Sequence, residues 1–160
     1  MSPTVHVTTP GDREVVVTRV FDAPRSLVFD CHTQPELVRR WLLGPDGWSM
    51  PVCEIDLRVG GDYRYVWRND AKGQQFGMNG TYREIVVPER IVFVERFNGD
   101  ESLCTLVLME AGGRTTLSQT MRFSTPDERD QALKSGMTDG MSTSYDRLER
   151  VMEEHRPAVA

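Results

Sequence analysis

The stretch Thr125–His155, TPDERDQALKSGMTDGMSTSYDRLERVMEEH, decides how this chain folds. Thr125 suits an N-cap, Pro126 suits the first helical position, and Glu128 completes a Thr-x-x-Glu capping box. Leu133, Met137, Met141, Tyr145, Leu148 and Met152 then recur every three or four positions and lay one apolar stripe along one face. Arg156-Pro157 supplies the stop, since proline cannot continue a helix. As a single helix the stretch would run roughly 45 Å. Gly136 and Gly140 interrupt it, each costing about 1 kcal/mol relative to alanine. The pattern therefore predicts a break near Ser135–Gly136, a separate turn or lid over Pro126–Lys134, and a gripping helix from the break to about Glu154. The two glycines would also let a sheet or a ligand approach the backbone closely.

The rest of the chain reads as strands, with one exception. Residues 1–12 carry two prolines and a glycine with little periodicity and are expected to form a partly ordered tail before a single domain over residues 13–156. Glu14–Phe21 is rich in β-branched residues and reads as the first strand. Asp22-Ala23-Pro24 opens a short helix through about Cys31, with Leu27, Val28 and Cys31 on one side. Thr33-Gln34-Pro35-Glu36 reads as a second capping box, opening a helix that turns Leu37, Val38, Trp41 and Leu42 inward before Gly44-Pro45 ends it. From there the reading is strand and turn: Val52–Arg58, Asp62–Arg68, Asn79–Val87, Arg90–Phe97, Ser102–Ala111 and Arg114–Phe123. Gly60-Gly61, the polar Asn69–Gly73 loop, Pro88-Glu89, Asn98-Gly99-Asp100 and Gly112-Gly113 separate them, and such short turns mean an antiparallel meander. One helix cannot cover a flat sheet of seven strands. A sheet curled around it can, and curling leaves a concave space between the two.

Composition narrows the function classes. With 160 residues, the chain suits one domain that buries about 70% of the surface its unfolded form exposes. A net charge of −5 and the absence of any Lys/Arg run argue against a nucleic-acid partner, because phosphate neutralisation needs a positive surface. No apolar run approaches the roughly 20 residues of a membrane span, and Met1-Ser2-Pro3-Thr4-Val5 lacks the basic and apolar regions of a signal peptide. Cys31, Cys53 and Cys104 are too few and too widely spaced for a disulfide framework, so the cytoplasm is the expected compartment. Edge strands of a curled sheet need covering, which leaves a homodimer open.

The order of elements resembles the helix-grip fold of the START/SRPBCC superfamily. Within it, the chain is similar to the C-terminal domain of the activator of the heat-shock-protein-90 ATPase. Phe21-Asp22-Ala23-Pro24 with Val28-Phe29, Thr33-Gln34-Pro35-Glu36-Leu37 with Trp41, and Gly60-Gly61-Asp62-Tyr63-Arg64 carry the likeness. So do Gly80-Thr81-Tyr82-Arg83-Glu84-Ile85, Pro88-Glu89-Arg90-Ile91-Val92, and Ser144-Tyr145-Asp146-Arg147-Leu148. The resemblance spans residues 14 to 152 and implies an α+β, Bet v-like fold: a curved antiparallel sheet wrapped around a long C-terminal helix, with two short helices after the first strand. It leaves no room for the N-terminal domain that the co-chaperones carry. Where relatives commonly place Trp and Leu in the terminal helix, this sequence has Met141 and Tyr145, and a flexible thioether there enlarges or softens the cavity.

No catalytic residue is nominated. Asp30-Cys31-His32 are adjacent on a helix and point about 100° apart, so they form no nucleophile–base pair; Cys31 reads as core and His32 as near the surface. No metal-ligand spacing or cofactor motif appears. Tyr63, Tyr65 and Trp67 share one strand face, which reads as core packing, as cavity wall, or as both along its length. Leu117, Gln119 and Met121 share another; Gln119 among apolar neighbours needs a partner such as Tyr or a ligand. Tyr82 and Glu84 share a face in this reading, and Glu84 or Glu95 would be an acid/base candidate if inward, although both are expected on the solvated face. The expected ligand-binding set is Trp41, Tyr63, Tyr65, Trp67, Tyr82, Leu117, Gln119, Met121, Met137, Met141 and Tyr145. The expected partner is a small hydrophobic or aromatic molecule. A cyclase- or hydrolase-type cavity enzyme and a co-chaperone-like module are the alternatives. An ionisable group inside the cavity would favour the enzyme, and a large exposed apolar patch the module.

Overall fold

The computed structural model describes residues 5–155, so the expected stop at Arg156-Pro157 lies outside them. Its elements run β1 (His6–Thr8), β2 (Glu14–Phe21), α1 (Arg25–Thr33), α2 (Pro35–Trp41), β3 (Ser49–Ile55), β4 (Asp62–Asn69), β5 (Gln74–Val86), β6 (Arg90–Phe97), β7 (Asp100–Ala111), β8 (Arg114–Phe123), α3 (Pro126–Lys134) and α4 (Met137–His155). The strands form one curved antiparallel sheet in the order β1-β2-β8-β7-β6-β5-β4-β3. β3 to β8 are a meander of sequence neighbours. β2 pairs with the last of them, so the two short helices carry the chain across the full width of the sheet, from β2 to the far edge at β3.

Several local readings change. The sheet has eight strands rather than seven, because His6–Thr8 pairs with Val16–Thr18 despite its weak pattern. β5 begins at Gln74, directly after the turn, since Gln74–Met78 completes the hairpin opposite Tyr65–Asn69. The second capping box does not form. Thr33 is the last residue of α1, where its hydroxyl donates to the Phe29 carbonyl at 3.0 Å, and Gln34 precedes α2 without a side-chain cap. At the first box the cap forms, Thr125 Oγ1 accepting from the Glu128 amide at 3.2 Å, while the Glu128 carboxylate accepts from the Ser124 amide at 3.1 Å, one residue before the cap. Gly136 separates α3 from α4 with φ +84°, a left-handed conformation that glycine adopts without strain. The terminal stretch is therefore two helices, the second 19 residues and about 28 Å long.

The core lies between the concave sheet face and α4. Tyr145, Leu148, Val151 and Met152 from α4 are buried with Val15, Val17 and Phe21 from β2. Burying a side chain such as Leu148 or Met152 contributes about 1.5–3 kcal/mol. A buried cation fastens the same two elements. Arg19 is fully buried on β2, and its guanidinium donates to Asp146 at 2.8 Å and to Glu149 at 3.1 Å, both on α4. The guanidinium also lies over the Phe21 ring, its carbon 5.2 Å from the ring centre.

Candidate functional site

Strand alternation builds the wall of a cavity between the sheet and α4. Tyr63, Tyr65 and Trp67 of β4 face inward, and opposite them on β5 stand Gly80, Met78 and Phe76. Aromatic rings follow one another from the rim to the interior. Trp48 meets Phe76 edge-on at 5.1 Å, Phe76 stacks on Trp67 at 5.0 Å, and Trp67 meets Tyr65 at 5.8 Å. Tyr65 to Tyr63 is 4.9 Å and Tyr63 to Tyr82 is 5.5 Å. All fall in the range of favourable aromatic pairs.

The inner chamber has a volume of about 210 Å³. Of the residues nominated from sequence, it brings together Trp41, Tyr63, Tyr65, Trp67, Gln119, Met121, Met137, Met141 and Tyr145. Tyr82 and Leu117 are not among its lining. Both are buried in the filled part of the core, Tyr82 beside Tyr63 and Leu117 opposite Arg19. An outer chamber of about 590 Å³ adjoins it, walled by α3, the loop before β3, and the ends of β5 to β8. Trp67, Met78, Glu95, Met121, Met137 and Met141 line both spaces and stand between them. The Gln119 carboxamide has no side-chain partner among the described residues.

Glu95 lines this cavity, contrary to the expectation of a solvated position. On β6 it shares parity with Ile91 and Phe93, which also line the inner chamber, and with Phe97 in the outer one. Tyr63 donates to Glu95 Oε1 at 3.1 Å. The register explains how: Tyr63, Gly80 and Glu95 lie in one row across β4, β5 and β6. A Cβ on Gly80 would stand 2.2 Å from Tyr63 Cε2 and 2.3 Å from the Val94 carbonyl oxygen, so the phenol crosses to Glu95 only because that position lacks a side chain. Burial pushes the Glu95 carboxyl up to about 7, with the Tyr63 hydrogen bond acting in the opposite sense. Burial and the neighbouring Glu95 charge raise the Tyr63 phenol. Glu84, by contrast, is on the outer face and pairs with Arg90 at 2.9 Å. The bulge at Arg83 breaks the alternation that would have put it beside Tyr82.

His32 is also placed differently from expectation. Its ring lines the inner chamber, edge-on to Trp41 at 4.9 Å. Nδ1–H donates to the Val28 carbonyl at 2.7 Å, which leaves Nε2 as an acceptor, buried and without a partner. Burial pushes its pKa down to about 4, against a smaller opposing effect of that hydrogen bond, so the ring is neutral at neutral pH. Trp41 and Trp67 spend their N–H groups on the Cys31 and Leu42 carbonyls, at 2.8 and 2.7 Å. The chamber is thus apolar-walled, with an acid that exchanges its proton near neutral pH and a histidine that accepts hydrogen bonds.

A curved antiparallel sheet gripping a C-terminal helix across a cavity defines a protein of the helix-grip, SRPBCC type. The family model described as Activator of Hsp90 ATPase homolog 1-like protein matches residues 22–153, and the chain belongs to that family. Among solved structures, a protein from Rhodobacter sphaeroides is similar with 26% identity and a TM-score of 0.88, covering 95% of this chain and 99% of its own. A protein from Nitrosomonas europaea shares the fold at 24% identity and a TM-score of 0.82, covering 92% and 98%. The Activator-like protein from Aeromonas hydrophila shares it at 19% identity and 0.73, covering 91% and 99%. No curated protein matches the sequence.

Proposed function

We propose that this protein binds a small hydrophobic or aromatic molecule in the cavity between its sheet and α4. The observation that carries the reading is the aromatic-walled space left unfilled between elements that elsewhere pack tightly. An apolar cavity of about 150 Å³ is enough to bind benzene. The inner chamber, about 210 Å³, therefore accommodates a substituted ring, and the outer chamber leaves room for a larger body. The three cysteines are free and buried, which supports a reducing compartment such as the cytoplasm. Native mass spectrometry after gentle purification, against a panel of lipids and aromatic metabolites, tests the reading. A bound mass that disappears when Met141 is replaced by Trp is expected; no binder anywhere in the panel would count heavily against it.

A cavity enzyme is the second reading, and Glu95 is the observation that favours it. A carboxyl whose pKa burial brings to about 7 beside a phenol can give or take a proton at neutral pH. The same panel separates the two. Ligands recovered unchanged after long incubation support binding alone, whereas a new mass that requires Glu95 supports catalysis.

A further inference from the structure

Among the described residues no lysine or arginine lines either chamber, whereas Glu95, Asp100, Glu101 and Glu128 do. Two of these acids are already engaged, Glu101 with Arg96 at 3.3 Å and Glu128 with the Ser124 amide at 3.1 Å. Glu95 and Asp100 have no basic partner among the described residues. Among the described residues that line the inner chamber, Glu95 is the one acid and no base other than His32 accompanies it. Tyr63, Tyr65 and Cys104 interact with it electrostatically, and burial raises all three, so they stay neutral; His32 is held neutral as well. The His32 Nε2 adds a buried acceptor that lacks a donor. Around Glu95 stand aromatic faces: Tyr63 in hydrogen-bond contact, and Phe93 two residues back on the same strand face, 5.8 Å from Tyr63.

We infer that the ligand is a small organic cation or protonatable amine on an apolar or aromatic body, its nitrogen held at Glu95 and its body among the rings of the cavity. This rests on the ligand-binding reading above and names the class of ligand. A carboxylate or phosphate would bring a second negative charge into a chamber with no cation to receive it. A purely hydrocarbon ligand would leave Glu95 with the Tyr63 hydroxyl as its single donor and the His32 acceptor with none. An ammonium group supplies N–H donors to the carboxylate, and its charge is attracted to the aromatic faces. The proton balance closes without another reagent. An amine that enters uncharged takes the carboxyl proton, the N–H bond forming as the O–H bond breaks. A cation that enters already charged expels that proton to solvent.

The test uses the intact protein and four probes. The uncharged dye N-phenylnaphthylamine reports cavity occupancy by its fluorescence. Phenethylamine, phenethyl alcohol and hydrocinnamate, matched in shape but cationic, neutral and anionic, compete with it. Phenethylamine is expected to displace the dye at a concentration about tenfold below that of the alcohol, with hydrocinnamate the weakest. Glu95→Gln should weaken the amine about tenfold and leave the alcohol within about twofold. The inference is overturned if hydrocinnamate competes as well as the amine, or if the variant keeps the amine preference. Dye and alcohol binding without any amine preference removes this inference and leaves the binding reading standing. If neither the dye nor any competitor binds, both are lost. The wild-type series decides the matter even where the variant does not fold.

Discussion

Glu95→Gln should stabilise the folded protein at alkaline pH and leave it nearly unchanged in acid. Burial raises the carboxyl in the folded chain from 4.5 to about 7, so between those values the folded state keeps a proton that the unfolded state has released. The contribution to stability is therefore fully present below pH 4.5 and is lost as pH rises through about 7. About 2.5 pH units at roughly 1.36 kcal/mol each gives a loss of about 3 kcal/mol above neutrality. Glutamine, which has no charge to bury, removes that loss. His32 acts in the opposite direction. Its pKa falls from 6.5 to about 4 on folding, so the folded state binds fewer protons in that window and stability grows as pH rises through it. The two slopes offset between about pH 4.5 and 6.5 in the natural sequence, and the variant exposes the histidine slope alone. Thermal and urea unfolding of both proteins at unit steps from about pH 4 to 8 provides the measurement. The melting temperature of the variant should gain about 6–12 °C on the natural protein across that range. A gap that stays constant with pH would show that Glu95 is not held protonated by the cavity, and the reasoning fails.

Three further outcomes follow from the packing. Asp146→Asn combined with Glu149→Gln leaves the Arg19 guanidinium buried without a counter-charge and should cost about 3–5 kcal/mol. Arg19→Met should cost less, and urea midpoints that rank the two the other way would refute this account of the ion triad. Gly80→Ala should cost about 1–3 kcal/mol through the clash with the Tyr63 ring. By detaching the phenol it should also raise the Glu95 titration midpoint further, which carbon NMR of the carboxyl reads directly. Met141→Trp should fill part of the inner chamber and weaken N-phenylnaphthylamine binding by about tenfold or more without loss of stability. Equal binding in that variant would mean that the dye sits elsewhere.

Periodicity made the fold legible. The helix break at Gly136 follows from glycines in the middle of an apolar stripe, and the meander follows from its closely spaced turns. The aromatic wall was legible too, because Tyr63, Tyr65 and Trp67 alternate without interruption. Glu95 was equally readable by parity, since it falls in step with Ile91, Phe93 and Phe97. The general tendency of glutamate to face solvent masked that signal. Glu84 lies on the solvated face as expected, but it does not share a face with Tyr82, because a one-residue bulge, invisible in composition, breaks the alternation between them. Arg19 too is in step with the buried Val15, Val17 and Phe21, but its counter-charges lie far along the chain on α4. His32 is covered by Trp41 of the next helix, a contact its own helix does not announce. The short strand at His6–Thr8 is likewise made by its neighbour rather than by its own residues.

No side chain of α3 is fully buried, and that helix walls the outer chamber just before the Gly136 bend. An element fastened so lightly opens at a free-energy cost set by its own few contacts, far below that of melting the sheet. Its amides should accordingly exchange with deuterium well before those of α4. On the binding reading proposed above, the time a guest would spend inside is governed separately from how strongly the interior would hold it. Substitutions along α3 should then alter arrival and departure together, while the equilibrium is left to the rings and Glu95.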